Sequence, residues 1–195
     1  MRATDAEWLR KTPIAHRGLH DEEYPENSMP AFVAAANSGF AMELDLHMSS
    51  DGRLMVFHDA DLRRMTGQEG FVADVHSAAL TQLRLNGTEY AIPLFEDVLE
   101  LVDGKAPILA EIKSASPMTR VGAVLRTLIA GYGGALAVQS FDPVEEACTT
   151  RCSWTNIWLV RGRTALPRPE TATPKHAVEC AESPGLLGVR RQGNA

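Results

Sequence analysis

The chain has 195 residues and a net charge of −6, with 45% hydrophobic and 23% charged residues, which suits a globular domain with a sizeable core. No apolar run approaches the roughly 20 residues of a membrane span, and the four lysines (Lys11, Lys105, Lys113, Lys175) with the acidic balance argue against a nucleic-acid partner, whose phosphates call for basic surface. The N-terminal MRATDAEWLRKTP is charged and lacks an apolar signal core, so a cytoplasmic setting is expected, and residues 1–11 read as an N-terminal arm.

Thr12–Ala15 is a short apolar approach to His16 and predicts a strand, after which Gly18 allows a tight turn. Asn27 is the expected N-cap of a helix that tolerates Pro30 in its first turn, carries Phe32, Val33, Ala35 and Ala36 on its apolar face and stops at Gly39. Phe40–Leu46 predicts the second strand, with Met42, Leu44 and Leu46 alternating against Glu43, Asp45 and His47. Asp51-Gly52 is a two-residue hairpin signal, and Leu54–Phe57 returns as a strand into His58 and Asp59. With Ser50 paired to Arg53, that register sets Asp45 directly opposite His58. Asp61–Asp74 is polar and turn-rich and is expected to loop over the site. A short helix is expected over Ser77–Leu85, and Pro93 opens another that Gly104 ends. Pro107–Ile112 is the third parallel-type strand, with Glu111 and Lys113 two apart and hence on one face. A helix over Thr119–Ala130 and a fourth strand over Ala135–Ser140 follow. Strands alternating with helices predict a βα fold with a parallel sheet, and the polar residues recur at strand C-terminal ends, where barrel enzymes keep their sites. After about Glu146 the pattern decays into the proline-rich ALPRPETATP, and SWTNIWLV could form one strand.

The chemistry sits at those strand ends. An isolated Glu-x-Asp is ordinarily a solvated face, but Glu111 at the equivalent end of another strand adds a third carboxylate to Glu43 and Asp45. Three converging carboxylates repel unless a cation lies between them, and an all-oxygen set suits Mg²⁺ or Ca²⁺ rather than zinc. His16 and His58 flank the acids, and imidazoles titrating near neutrality suit paired acid–base work. Arg17 and Lys113 could bind a phosphate, while Lys113 equally suits a salt bridge to a neighbouring acid. Metal, two histidines and cationic clamps together suit phosphoryl transfer on a small phosphodiester.

Eight short pieces stand in order along the chain: His16-Arg17-Gly18, Pro25-Glu26-Asn27-Ser28, Glu43-Leu44-Asp45, Ser50-Asp51-Gly52, His58-Asp59, Ile92-Pro93, Glu111-Ile112-Lys113 and Ser140-Phe141-Asp142. In this order and spacing the chain resembles the glycerophosphodiester phosphodiesterases over roughly residues 12–144. The resemblance implies a TIM-type (β/α) barrel of the phosphodiesterase superfamily and a divalent metal, Mg²⁺ or Ca²⁺, held by Glu43, Asp45 and Glu111. It implies His16 and His58 as the acid–base pair, His16 as base and His58 as acid in the first step, with Arg17 and Lys113 near the substrate phosphate. It further implies attack of a glycerol hydroxyl on phosphorus to give a cyclic phosphate that water opens, releasing glycerol 3-phosphate and an alcohol.

The chain departs from that pattern after residue 144. The full fold usually takes about 250 residues, whereas the sequence offers four barrel strands plus a hairpin arm, so an incomplete barrel with an irregular tail over residues 145–195 is expected. Open parallel edges must be capped, by the tail or by a second copy that closes the ring as a homodimer. The tail also fits non-native sequence after a frameshift. The alternative to an active hydrolase is therefore a catalytically impaired remnant or an interaction protein, and a third reading is a lyase that stops at the cyclic product. The i,i+4 pairs Cys148/Cys152 and His176/Cys180 could bind zinc, but their spacing is unlike the usual C-x2-C and suits chance in an irregular segment.

Overall fold

In the computed structural model, which describes residues 7–113, 118–140, 157–161 and 177–178, a helical turn α1 (Trp8–Lys11) leads into the two-residue strand β1 (Ile14–Ala15). Helix α2 (Met29–Asn37) follows, then β2 (Ala41–Met48) and the hairpin strand β3 (Leu54–Val56). An excursion carries α3 (Arg63–Thr66), a 3-10 turn at Val72–Asp74, α4 (Ser77–Leu80) and a second 3-10 turn at Leu85–Gly87. Helix α5 (Phe95–Val102), β4 (Ile108–Ile112), α6 (Met118–Ile129) and β5 (Leu136–Ser140) return to strand–helix alternation. Two strands from the tail join them, β6 (Ile157–Arg161) and β7 (Ala177–Val178). Among the described residues no helix is long and apolar enough to cross a membrane.

The sheet order is β6-β5-β4-β2-β1-β7, with β3 paired to β2 alone. β1, β2, β4, β5 and β6 run parallel in succession, an arc of a (β/α) barrel. The four expected barrel strands are thus β1, β2, β4 and β5, and β6, from the SWTNIWLV stretch, adds a fifth beside β5. β7 pairs antiparallel with β1 and so occupies that strand's outer edge.

Period-two alternation sorts each strand's side chains between two faces. Met42, Leu44, Leu46, Ile108, Ala110, Ile112, Leu136 and Val138 meet the helices, packing with Phe32, Ala35, Phe95, Val98, Val121 and Leu125. At the sheet's N-terminal end the opposite face is apolar, where Ile14, Ala41, Leu109 and Ala137 gather around Leu9 with Trp8 against them, so α1 plugs the inner side. Farther along the same face the residues become Glu43, Asp45, Glu111 and Gln139. The excursion has its own small core of Met55, Phe57, Leu62, Met65, Val72, Leu80, Leu85 and Ile92, so the segment expected as loop is a packed unit braced on β3.

Two local expectations are corrected. The cap of α2 is Ser28, whose hydroxyl accepts from the Ala31 amide, and not Asn27. Asn27 instead stands at φ +56°, a left-handed conformation that asparagine tolerates better than most residues. The hairpin pairs Leu46 with Val56, His47 with Met55 and Met48 with Leu54, one residue off the expected register. Ser49 rather than Ser50 opposes Arg53, the Ser49 amide donating to the Arg53 carbonyl at 2.9 Å, and Gly52 (φ +84°) closes a three-residue loop. The Ser49 hydroxyl, bonded to Asp51 and to both backbone groups of Arg53, holds the loop in that form. The Phe57 amide consequently donates to the Asp45 carbonyl, and His58 lies one residue beyond it.

Gly18 is where chain reversal and close approach coincide. Its φ is +79°, and a Cβ built there would lie 2.9 Å from Ala31 Cβ and 3.0 Å from the Ala31 backbone carbon. Gly18→Ala is therefore expected to destabilise the fold by about 1–3 kcal/mol through backbone strain and the clash with α2. Urea denaturation reads this as a lower midpoint at constant slope, and an unchanged midpoint would refute this packing.

Candidate active site

Glu43 and Asp45 leave β2 on the face that Glu111 leaves from β4, and the parallel register pairs Asp45 with Glu111. All three are buried, and one oxygen from each lies within 4.8 Å of the others. Around them the chain assembles donors. Lys113 reaches Asp45 Oδ1 at 2.8 Å and also contacts Glu111. Gln139 Nε2 donates to Glu111 Oε2 at 3.1 Å from the matching position of β5. The Arg17 amide donates to Glu43 Oε2 at 2.9 Å, and its guanidinium Nε lies 3.5 Å from Asp45 Oδ2.

Asn27 completes the shell. β1 pairs with β2 only as far as Ala15 and Met42, which leaves the Asp45 amide without a strand partner on that side. The Asn27 side-chain carbonyl accepts from this amide at 3.3 Å, and its Nδ2 donates to Asp45 Oδ2 at 2.8 Å. One amide side chain thus satisfies both the backbone and the carboxylate of Asp45. Arg17 is itself left-handed (φ +58°), and its carbonyl accepts from the Asn27 amide, so two strained residues brace each other at the mouth.

Burial, reinforced by the charges of Asp45 and Glu111, pushes the Glu43 carboxyl up to about 8. Its Oε1 is buried with no hydrogen-bond partner. A hard oxygen-only donor set in which Glu43 Oε1 has no partner and Asp45 Oδ1 has only its ion pair with Lys113 fits a divalent cation such as Mg²⁺ or Ca²⁺. Burial alone would lower the Lys113 ammonium, but Asp45 and then Glu111 reverse that and hold it raised. Lys113 therefore makes the expected salt bridge, with the same acids that form the cluster.

Two histidines stand at the same strand ends, His16 just after β1 and His58 just beyond β3. His16 is half exposed, with Nε2 3.9 Å from Glu43 Oε2, and burial together with the Arg17 charge lowers its pKa. His58 is partly buried, and its Nδ1 lies 2.6 Å from Asp59 Oδ1. Burial opposes the Asp59 charge, yet hydrogen bonds from Arg64 and His58 outweigh it and hold the carboxyl at about 2. Against an ionised carboxylate the Nδ1 must be the N–H donor, which leaves Nε2 for other chemistry. His47, buried below, has Nε2 3.0 Å from the His58 carbonyl and so props the backbone of the same residue.

All seven residues expected from sequence (His16, Arg17, Glu43, Asp45, His58, Glu111, Lys113) come to one end of the sheet. The expected direct apposition of Asp45 and His58 does not occur, because Asp45 opposes Phe57. Sequence reasoning gave no place in the site to Asn27, expected only as a helix cap, nor to Glu26, Arg64 or Gln139. Gln139 was legible, since it sits immediately before Ser140 on a strand parallel to β4, at the position that pairs with Glu111; the other three act across loops. Cys148, Cys152, His176 and Cys180 lie outside the described residues.

A family model described as the glycerophosphoryl diester phosphodiesterase family matches residues 16–130. The glycerophosphodiester phosphodiesterase of Bacillus altitudinis is 38% identical over 114 residues, 55% of this chain and 46% of that protein. A crystal structure of glycerophosphodiester phosphodiesterase from Agrobacterium tumefaciens matches with a TM-score of 0.61 at 28% identity, over 71% of this chain and 63% of that one. An Oleispira antarctica phosphodiesterase, solved in complex with the product sn-glycerol-3-phosphate, shares the fold with a TM-score of 0.71 at 24% identity, over 79% of this chain and 66% of that one. The chain spans less than half the length of curated relatives such as the Bacillus altitudinis protein.

The raised Glu43 carboxyl gives a signed pH dependence. In metal-free protein the folded state keeps a proton on Glu43 that the unfolded chain loses near 4.5. This contribution to stability is full below about 4.5 and is lost as pH rises through about 8. Thermal melts in chelator are expected to fall across that window, and Glu43→Gln is expected to flatten the fall. An equally steep fall in the variant would refute the assignment.

Proposed function

The chain belongs to the glycerophosphoryl diester phosphodiesterase family, and on that premise we propose that it hydrolyses small glycerophosphodiesters to glycerol 3-phosphate and an alcohol in the cytoplasm. The observation that carries this reading is the buried Glu43–Asp45–Glu111 cluster with His16 3.9 Å from Glu43 and His58 just beyond the neighbouring β3. Glu43, Asp45 and Glu111 would hold the divalent ion, with the orphaned Glu43 Oε1 a natural ligand. When bound, the ion supplies Lewis-acid polarisation of a phosphoryl oxygen.

The remaining work falls to the chain's own side chains. Arg17 and Lys113 stand beside the carboxylates and offer guanidinium and ammonium donors to a phosphate. Their positive charges offset the repulsion a phosphodiester anion would meet from the acids. His16 is the base: its lowered pKa keeps the imidazole neutral near pH 7, able to take a proton from a glycerol hydroxyl. His58 is the acid: with Nδ1–H anchored on Asp59, the transferable proton leaves from Nε2 to the departing alkoxide. The hydroxyl oxygen bonds to phosphorus as the bond to the alcohol breaks, which leaves a cyclic phosphate. In the second step the roles reverse and water opens the ring.

Purified chain is expected to hydrolyse glycerophosphocholine with added Mg²⁺ or Ca²⁺ and to stop in chelator. His16→Ala and His58→Ala should each lower kcat by about 10²- to 10⁴-fold, with divalent-ion affinity retained. Absence of turnover at saturating metal would favour an impaired or interaction protein, and cyclic phosphate as the final product would select a lyase. Full activity in either histidine variant would overturn the assignment.

A further inference from the structure

His58 and Arg17 leave different strands and sit on different loops, yet the structure connects them through an unbroken line of ion pairs. From His58 Nδ1 the line passes 2.6 Å to Asp59 Oδ1. The other Asp59 oxygen meets Arg64 Nε at 2.5 Å. Arg64 then turns its two remaining nitrogens on Glu26, Nη2 to Oε1 at 2.6 Å and Nη1 to Oε2 at 3.2 Å. Glu26 Oε1 accepts from Arg17 Nη1 at 3.0 Å, and Arg17 leans on Asp45.

Two features separate this line from ordinary surface pairing, which contributes about 0–1 kcal/mol per pair. Its charges alternate in sign, so each carboxylate has a donor on both sides. All the nitrogens of one planar guanidinium are used, a geometry that an ammonium cannot reproduce. Arg64 is also held at its base: α3 ends on left-handed Gly67, and Met65 beside it is buried in the excursion's core. Among the described residues it is the cation that contacts both Asp59 and Glu26.

We propose that Arg64 and Glu26 are positioning residues that couple the orientation of His58 to that of Arg17, so that the proton donor and the phosphate-facing guanidinium adopt their working geometry together. The proposal rests on the phosphodiesterase reading for its kinetic consequence, though not for the coupling itself. Losing the guanidinium frees the Asp59 carboxylate to rotate and lets the Glu26 side of the line relax independently. The excursion, otherwise remote from the cluster, thereby becomes part of the site.

The test uses the full chain and the variants Arg64→Ala, Arg64→Lys and Glu26→Gln, with Arg63→Ala as control because Arg63 pairs with Glu69 away from the line. For Arg64→Ala, kcat on glycerophosphocholine is expected to fall about 10- to 100-fold, with the melting temperature nearly unchanged. Arg64→Lys should recover little, millimolar guanidinium should partly restore Arg64→Ala, and Arg63→Ala should behave as the parent. Imidazole nitrogen NMR gives a readout independent of turnover: the Nδ1–H tautomer should dominate at His58 in the parent and become a mixture in Arg64→Ala. Should Arg64→Ala fail to fold, Glu26→Gln carries the test, because it weakens the links of Glu26 to Arg17 and Arg64 but keeps the Arg64–Asp59–His58 pairs, and should move kcat while leaving the His58 tautomer in place. Unchanged kcat together with an unchanged tautomer in the folded variants would overturn the proposal. If the parent hydrolyses no glycerophosphodiester, the phosphodiesterase reading falls, and the tautomer measurement alone decides the coupling.

Discussion

Mutual repulsion among three buried carboxylates is the constraint around which the described structure is arranged. Glu43, Asp45 and Glu111 bring ligand atoms within 4.8 Å of one another at positions closed to bulk water. Charges so placed cost several kcal/mol each unless neutralised or hydrogen-bonded. The fold answers with Lys113, Arg17, Asn27 and Gln139, each bonded to a cluster oxygen or within ion-pair range of one. Even so, Glu43 keeps an unpartnered oxygen and a raised carboxyl pKa. Two cations, Lys113 and Arg17, face three carboxylates, so the cluster could accept one further cation.

That requirement explains the strain at the end of β1. The strand is only two residues long, and the chain immediately turns through left-handed Arg17 and Gly18. The turn aims the Arg17 amide at Glu43 and brings its guanidinium toward Asp45. Asn27, also left-handed, then stands where a longer β1 would have run and supplies the missing ladder acceptor to Asp45. Such conformations cost about 1–3 kcal/mol each and persist where the surroundings over-determine them. Here the Asn27-to-Arg17 backbone bond and the close packing of Gly18 on Ala31 do so.

Sequence period is a good guide where structure is local. Alternation placed Glu43 and Asp45 on one face, the two-residue step placed Lys113 beside Glu111, and the strand–helix rhythm located β1, β2, β4 and β5. It misread features decided at a distance. The hairpin register slipped by one because Asp-Gly suggested a two-residue loop, whereas the Ser49 hydroxyl, bonded to Asp51 and Arg53, favours three. Asn27 looked like a helix cap since it precedes an apolar face, yet its partner lies 18 residues away on β2. Arg64 carried no signal within a polar stretch, because its partner Glu26 is 38 residues distant.

The arrangement also divides labour along the arc of strands. Every candidate site residue expected from sequence stands on β2 or β4 or within two residues after β1, β3 or β4. Three adjacent barrel strands and one hairpin thus hold the carboxylate cluster, the cations that face it and the two histidines. β5 contributes Gln139, a neutral donor that steadies Glu111 without adding charge. Bond making and breaking depend on placing a few groups to within about 0.5 Å, and a short contiguous arc achieves that with few degrees of freedom. Recognition of the leaving alcohol needs surface farther from phosphorus and tolerates looser placement. On the proposed phosphodiesterase reading, the arc would set the class of reaction and the walls around it the choice among alcohols.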